Sequence, residues 1–253
     1  MLSKNQAKHL RSLQRKKTRQ EQRLFVVEGA KIVAETLQDT NWQVQELYAS
    51  AEFLHTHSEL INLQPSQITP CSAAELTSVS SLVSNKDALA VVSQPQEQLA
   101  CQQLAANTWA LLAEDLNDPG NLGSLLRIAD WFGIQQLVCS PTSVEVYNPK
   151  VLAASKGSFL RVAVSYQDLT AYIAAQAPKT PVVGAYLNGT SIHQLNPVPT
   201  GGLLVLGNES RGISSSLSRY ITQKVTIPGY GGAESLNVAV AAAIICDNLL
   251  RPA

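Results

Sequence analysis

Three glycine- and asparagine-rich loops, each directly behind a short apolar run, constrain this 253-residue chain more than any other feature. They are Asn117-Asp-Pro-Gly-Asn-Leu-Gly123 with Arg127 beyond it, Gly207-Asn-Glu-Ser-Arg-Gly212, and Pro228 through Ser235-Leu-Asn237. The runs before them, Ala110–Ala113, Leu203–Leu206 and Val225–Ile227, are short enough to be buried strands. In a parallel sheet such strands deliver their loops to one edge, where α/β proteins bind ligands. The groups gathered there would be main-chain amides freed by glycine, carboxamides, one guanidinium, one carboxylate and one hydroxyl. That set suits a polyanion and an organic cofactor better than a metal ion.

From Trp109 onward strands and helices alternate. Strands are expected at 109–115, 136–139, 161–164, 181–186, 203–206 and 224–227, and helices at 121–132, 149–156, 168–175 and 235–250. This rhythm implies an α/β domain, 107–253, with a mostly parallel sheet covered by helices on both faces. The first 92 residues read as a smaller α/β domain. It has a helix over Lys4 to Lys17, a strand at 24–27, a helix to Leu37, a strand at 44–48, a polar helix near 51–60, and strands near Ile68 and at 88–92. Ser93-Gln-Pro-Gln-Glu-Gln98 is polar and aperiodic, which places a linker over 93–106.

The formal net charge is zero but uneven: residues 1–31 hold nine basic side chains against Glu21 and Glu28, a local +7. Such asymmetry favours contact with nucleic acid or an anionic surface, because each neutralised phosphate releases condensed counterions. Lys8, Arg11, Arg15, Lys16, Lys17, Arg19 and Arg23 are the candidate nucleic-acid contacts; a solvated basic helix is the plainer alternative. Cys71, Cys101, Cys139 and Cys246 form no CxxC pair, so no metal site is expected. No apolar stretch reaches ~18 residues, so neither a signal peptide nor a membrane span is indicated, and the cytoplasm is the expected compartment.

The common nucleotide motifs are absent. Gly229-Tyr-Gly231-Gly-Ala-Glu234 has glutamate where a dinucleotide fingerprint needs its third glycine, and no GxxxxGK[ST] or G-x-S-x-G occurs.

Taken together, the three loops resemble the signature motifs of the SpoU (TrmH-like) RNA 2′-O-ribose methyltransferases of the SPOUT superfamily. The first reads Asn117-Asp-Pro-Gly-Asn121-Leu-Gly-Ser-Leu-Leu-Arg127-Ile-Ala-Asp-Trp-Phe-Gly133, the second Leu204-Val-Leu-Gly207-Asn-Glu209-Ser-Arg-Gly212, and the third Val225-Thr-Ile-Pro228 through Ser235-Leu-Asn237-Val-Ala-Val. Ser12-Leu, Lys16-Lys-Thr-Arg19 and Phe25-Val-Val-Glu-Gly29 likewise look like the ribosomal-protein-like substrate-binding domain of rRNA-directed members.

The resemblance implies a deep trefoil knot in the C-terminal domain, a topology that general connection rules disfavour. It also implies a homodimer through that domain and S-adenosylmethionine held by Leu206, Gly207, Gly212, Ile227, Pro228 and Leu236. The substrate implied is large-subunit, 23S-type rRNA; a tRNA 2′-O-methyltransferase and a non-catalytic RNA-binding or ribosome-assembly factor are the alternatives. Arg127, Asn121, Glu209, Ser235 and Asn237 are the implied catalytic set. A guanidinium with a pKa above ~12 is a poor base, so Arg127 fits a phosphate clamp and alkoxide stabiliser better than a proton acceptor. Read singly, each has a plainer reading: Asn121 and Ser235 as helix N-caps, Arg127 as a surface cation, Glu209 as a loop carboxylate.

Overall fold

The computed structural model describes residues 1–95, 103–176 and 178–251; residues 96–102 of the expected linker lie outside them. Along the described chain the helices are α1 (Lys4–Ser12), α2 (Lys16–Gln22), α3 (Ala30–Gln38), α4 (Ala51–Thr56), α5 (Ala73–Val79), α6 (Pro119–Trp131), α7 (Pro149–Ser155), α8 (Leu169–Ala174), α9 (Ser215–Ser218) and α10 (Val238–Leu250). The strands are β1 (Leu24–Glu28), β2 (Val44–Ala49), β3 (Ile68–Pro70), β4 (Ala88–Ser93), β5 (Trp109–Ala113), β6 (Gln136–Cys139), β7 (Ala163–Tyr166), β8 (Val182–Ser191), β9 (Gly202–Leu206) and β10 (Gln223–Thr226). They fall into two units, Met1–Gln96 with Tyr147–Leu160, and Glu97–Val146 with Arg161–Ala253. The segment bearing α7 lies in the first unit.

In the first unit a four-stranded sheet runs β1-β4-β2-β3, with β4 antiparallel to both neighbours and β3 parallel to β2. Leu10 and Leu13 from the basic N-terminus pack with Tyr48, Leu76, Leu89 and Val91. On β1 the alternate residues Phe25 and Val27 are buried, and Phe25 meets the rings of Trp42, Tyr147 and Phe159. The helix expected from Lys4 to Lys17 is broken. The Arg19 guanidinium donates to the carbonyls of Leu13 and Gln14 at 2.9 and 2.8 Å, satisfying groups at the turn between α1 and α2.

In the second unit six strands are all parallel, in the order β10-β8-β9-β5-β6-β7. Every residue of β5 and β9 is buried, as strands covered on both faces must be. Ala110, Leu112, Leu203 and Val205 pack on one face against Leu169, Tyr172, Ile173 and Leu217 of α8 and α9. Ala113 pairs with Cys139 on one side and Leu206 on the other, so β5, β6 and β9 end level. Their outgoing loops therefore start from one line.

Three strand expectations need correction, the first being 109–115, which ends at Ala113 because Asp115 turns to φ +50°. The strand placed at 161–164 lies at Ala163–Tyr166, because Arg161 is bonded instead to Asp130 of α6. The strand placed at 181–186 continues to Ser191: β10 pairs with Val183 and Gly184, then jumps register to Thr190 and Ser191. No helix among the described residues is long and apolar enough to cross a membrane.

Candidate functional site

The site is built at the carboxyl ends of β5 and β9 and the amino ends of α6 and α10. Asp118 caps α6, its carboxylate accepting from the Asn121 main-chain N–H at 2.8 Å, with Pro119 in the first helical position. Asn121 is therefore not the cap, and its side chain is released for other work. Its Nδ2 donates to Glu209 Oε1 at 3.0 Å, and its Oδ1 accepts from Asn237 Nδ2 at 2.8 Å. Asn237, not Ser235, caps α10: its Oδ1 accepts from the N–H groups of Ala239 and Val240 at 2.9 and 3.3 Å. Chemistry orients both carboxamides. Asn237 Oδ1 is committed to the helix, so its NH₂ must face Asn121, whose NH₂ must then face the carboxylate. One residue from each of the three loops thus joins a polar relay directed at Glu209.

Arg127 lies outside this relay. It is exposed on α6 and makes no hydrogen bond or ion pair among the described residues. Six residues of helix separate it from Asn121 by about 9 Å along the axis and roughly 120° around it. Ser235 is exposed in the loop before α10 and takes no part in the hydrogen bonds described.

The cofactor-side expectations divide by chemistry. Leu206 is 1% exposed, so only its main chain is available to a ligand, and its carbonyl already accepts from Glu114 N–H at 2.9 Å. Gly207 is required by the loop itself. A Cβ there would lie 2.2 Å from Gly212 C and 2.3 Å from Ile213 N, too close for any side chain. Gly212 sits at φ +68° and exchanges main-chain bonds with Asn208 at 2.9 and 3.1 Å. Ile227 and Pro228 are half-buried, whereas Leu236 is 48% exposed. Between Pro228 and Leu236 the main chain makes no hydrogen bond among the described residues, and Gly229, Gly231 and Gly232 face open space. A loop with free amides and carbonyls fits a ligand rich in hydroxyls and ring nitrogens.

Sequence reasoning missed a second set of residues beneath the relay. Asp115 adopts φ +50°, a left-handed conformation uncommon outside glycine. Its N–H donates to Ser140 Oγ at 2.8 Å, and its carboxylate accepts from Ser140 at 3.1 Å, from Thr142, and from Arg211 Nη2 at 2.9 Å. The Thr142 hydroxyl, then Ser140 and the Arg211 guanidinium, hold this carboxyl below the usual carboxylate range. The Asp115 carbonyl accepts from Asn208 Nδ2 at 2.8 Å. The expected strand 109–115 ran through this residue, whereas β5 ends at Ala113; the available signal was an aspartate near the strand end, a residue type enriched in left-handed turns.

Of the basic N-terminal residues, Lys8, Arg11, Arg15, Lys16, Lys17 and Arg23 are exposed. Arg11 also bonds the Ser78 carbonyl at 3.0 Å, Arg23 the Pro95 carbonyl at 2.8 Å, and Lys17 stands 3.8 Å from Glu21. Arg19 leaves the RNA-contact set: it is 2% exposed and committed to Leu13 and Gln14. Among the described residues no group of three or more His, Cys, Asp or Glu side chains is placed to hold a metal ion.

Comparison with known proteins matches residues 109–247 to the SpoU rRNA Methylase family and residues 4–100 to an MRM3-like substrate binding domain. A 23S rRNA (guanosine(2553)-2′-O)-methyltransferase of Bacillus subtilis is 30% identical over 98% of this chain and 97% of its own length. Among solved structures, a protein from Porphyromonas gingivalis assigned to the TrmH family of RNA methyltransferases superposes with a TM-score of 0.84 at 35% identity, over 99% of each chain. An AdoMet-bound rRNA methyltransferase from Sinorhizobium meliloti shares the fold with a TM-score of 0.88 at 22% identity, over 99% of this chain and 96% of that one.

Proposed function

We propose, from the premise that this chain belongs to the SpoU rRNA methylase family, that it methylates a ribose 2′-hydroxyl of 23S-type large-subunit rRNA using S-adenosylmethionine. The observation that carries this reading is the Asn237–Asn121–Glu209 relay, which unites the three loops of the site. The B. subtilis relative, an rRNA enzyme that aligns over nearly the whole chain, favours rRNA over tRNA.

The free main chain from Pro228 to Leu236, with the main chain at Gly207 and Ile227, would hold the cofactor. When bound, S-adenosylmethionine supplies a methyl carbon activated by sulfonium. The chain's own task is to bring the ribose 2′-oxygen into line with that carbon. Orienting two bound reactants lowers a barrier by as much as ~7–11 kcal/mol, so positioning is the main contribution asked of the protein. In this reading Glu209 and Asn121 fix the ribose. Arg127, with no partner to compete for it among the described residues, grips an RNA phosphate and stabilises negative charge growing on the 2′-oxygen as the hydroxyl proton passes to water. Ser235 contributes a hydroxyl from the third loop.

The enzyme is a homodimer through its C-terminal domain, a reading supported by the exposed apolar side chains of Leu236 and Val240 beside α10. The β10-β8-β9-β5 order, in which the last strand crosses beyond β8, accords with a trefoil knot. Lys8, Arg11, Arg15, Lys16, Lys17 and Arg23 engage the RNA backbone, and the protein works in the cytoplasm.

The test is methyl transfer from labelled S-adenosylmethionine to purified rRNA by the parent and by Arg127→Ala. Transfer by the parent and a loss of at least about 100-fold in the variant, the scale of removing one charge-stabilising donor, is expected. An Arg127→Ala protein as active as its parent would defeat the assignment.

A further inference from the structure

We infer that Asp115 and Arg211 form a positioning pair for the transfer reaction, setting where the Glu209 carboxylate meets Asn121. The inference rests on the functional reading above but concerns residues outside its catalytic set.

Glu209 sits in a short loop closed by the mutual main-chain bonds of Asn208 and Gly212. Asn208, just before it, and Arg211, two residues after it, both reach to Asp115. Asn208 Nδ2 donates to the Asp115 carbonyl at 2.8 Å, while Arg211 Nη2 donates to its carboxylate at 2.9 Å. The Asn208 carboxamide has its other end occupied, since Oδ1 accepts from the N–H groups of Ser210 and Arg211 at 3.0 and 3.1 Å. The loop is therefore tied at two points to a single residue. That residue is itself anchored to the loop after β6, through Ser140 and Thr142, and Ser143 Oγ accepts from the neighbouring Leu116 N–H at 3.1 Å. Asp115 thus joins the ends of three adjacent strands, β9, β5 and β6.

Two observations separate this from ordinary loop stabilisation. The ion pair is largely open to water, with side-chain exposures of 73% for Arg211 and 31% for Asp115, so it contributes little to overall stability. The Asp115 backbone is nevertheless held at φ +50°, a strained conformation that persists only where the surroundings over-determine it. A device that adds little stability yet retains strain at the base of a reactive loop is explained by geometry at Glu209.

The experiment compares the full-length parent with Asp115→Asn, Arg211→Ala, Arg211→Lys and the Asp115→Asn/Arg211→Ala double variant. It uses steady-state methyl transfer to rRNA and hydrogen–deuterium exchange of the 207–213 segment. Expected are a fall of about tenfold in kcat for each single removal, the same fall in the double variant, and KM for both substrates within about twofold, as for residues acting as one unit. Arg211→Lys should recover part of the loss. Exchange in 207–213 should quicken in both single removals while the rest of the chain is unchanged. Parent-like kcat, losses that multiply in the double variant, a rise confined to KM, or unaltered exchange in 207–213 would each overturn the pair's role. An inactive parent defeats the functional reading and this inference with it; an active parent whose variants match it defeats this inference alone.

Discussion

Asn121 Nδ2 donates to Glu209 Oε1 at 3.0 Å, joining side chains 88 positions apart in the chain. Asp118 makes this possible by taking over the cap of α6, and Asn237 fixes its direction by occupying the other end of the carboxamide.

That geometry makes Asn121→Asp more damaging than Asn121→Ala at neutral pH. The aspartate loses the donor and sets a second carboxylate against Glu209, and like charges in contact repel. In methyl-transfer assays Asn121→Ala should lose about 10²–10³ in kcat, the scale of removing one placed donor. Asn121→Asp should be slower still and regain activity as pH falls and the pair takes up a proton. An aspartate variant insensitive to pH would contradict the contact.

Gly207 and Gly212 separate two kinds of glycine requirement. Gly207→Ala forces a Cβ into the main chain of Gly212 and Ile213, whereas Gly212→Ala meets open space and has only the strain of φ +68°. Calorimetry should show Gly207→Ala destabilised by more than about 3 kcal/mol, beyond the usual overpacking cost, and Gly212→Ala by only ~1–2 kcal/mol. Equal losses would mean the loop is looser than its bonds suggest.

Much of the fold was legible because buried parallel strands are apolar runs of characteristic length. Gln136–Cys139 has the extent its composition implies, and the three loops do meet. What stayed hidden depended on tertiary partners. The break after α1 is stabilised by a guanidinium four residues into the next segment, and nothing in a run of basic residues distinguishes Arg19 from its neighbours. The extension of β8 through exposed Leu187 arises from a register jump against β10. At the site, the motif resemblance pointed to Asn121, Glu209 and Asn237, whereas Asp115 lies outside those motifs and its contacts, through both carboxylate and main-chain carbonyl, exist only once β5, β6 and β9 are side by side.

The basic N-terminus should separate into stability and binding roles. Arg19→Gln should lower stability by about 1–3 kcal/mol by leaving the buried Leu13 carbonyl and the part-buried Gln14 carbonyl without their donor. Exchanging Arg15, Lys16 and Lys17 for glutamine should leave the melting temperature nearly unchanged. That triple variant should bind RNA more weakly and flatten the salt dependence of log K by about 0.7–0.9 per lost phosphate contact. Parent-like salt dependence would remove these side chains from the RNA path.

Glu75 gives the first unit an acid-sensitive tie. Its carboxylate accepts from the Ser72 N–H and the Leu2 N–H, each at 2.8 Å, which lowers its pKa from 4.5 to about 2. Because the folded-state value is depressed, this stabilisation is complete above about pH 4.5 and disappears as pH falls toward 2. Thermal melts of Glu75→Gln should lie below the parent at pH 7 and converge with it near pH 2. A gap that persists at pH 2 would rule out the carboxylate as its source.

The most direct measurement is alkaline hydrolysis of rRNA after incubation with the protein and labelled S-adenosylmethionine. A methylated 2′-oxygen cannot attack the adjoining phosphodiester, so the account requires the label in an alkali-resistant dinucleotide, with transfer lost in Asn121→Ala and Arg127→Ala. Label recovered in alkali-labile mononucleotides, as base methylation would give, or no transfer to rRNA by the intact protein, would contradict it.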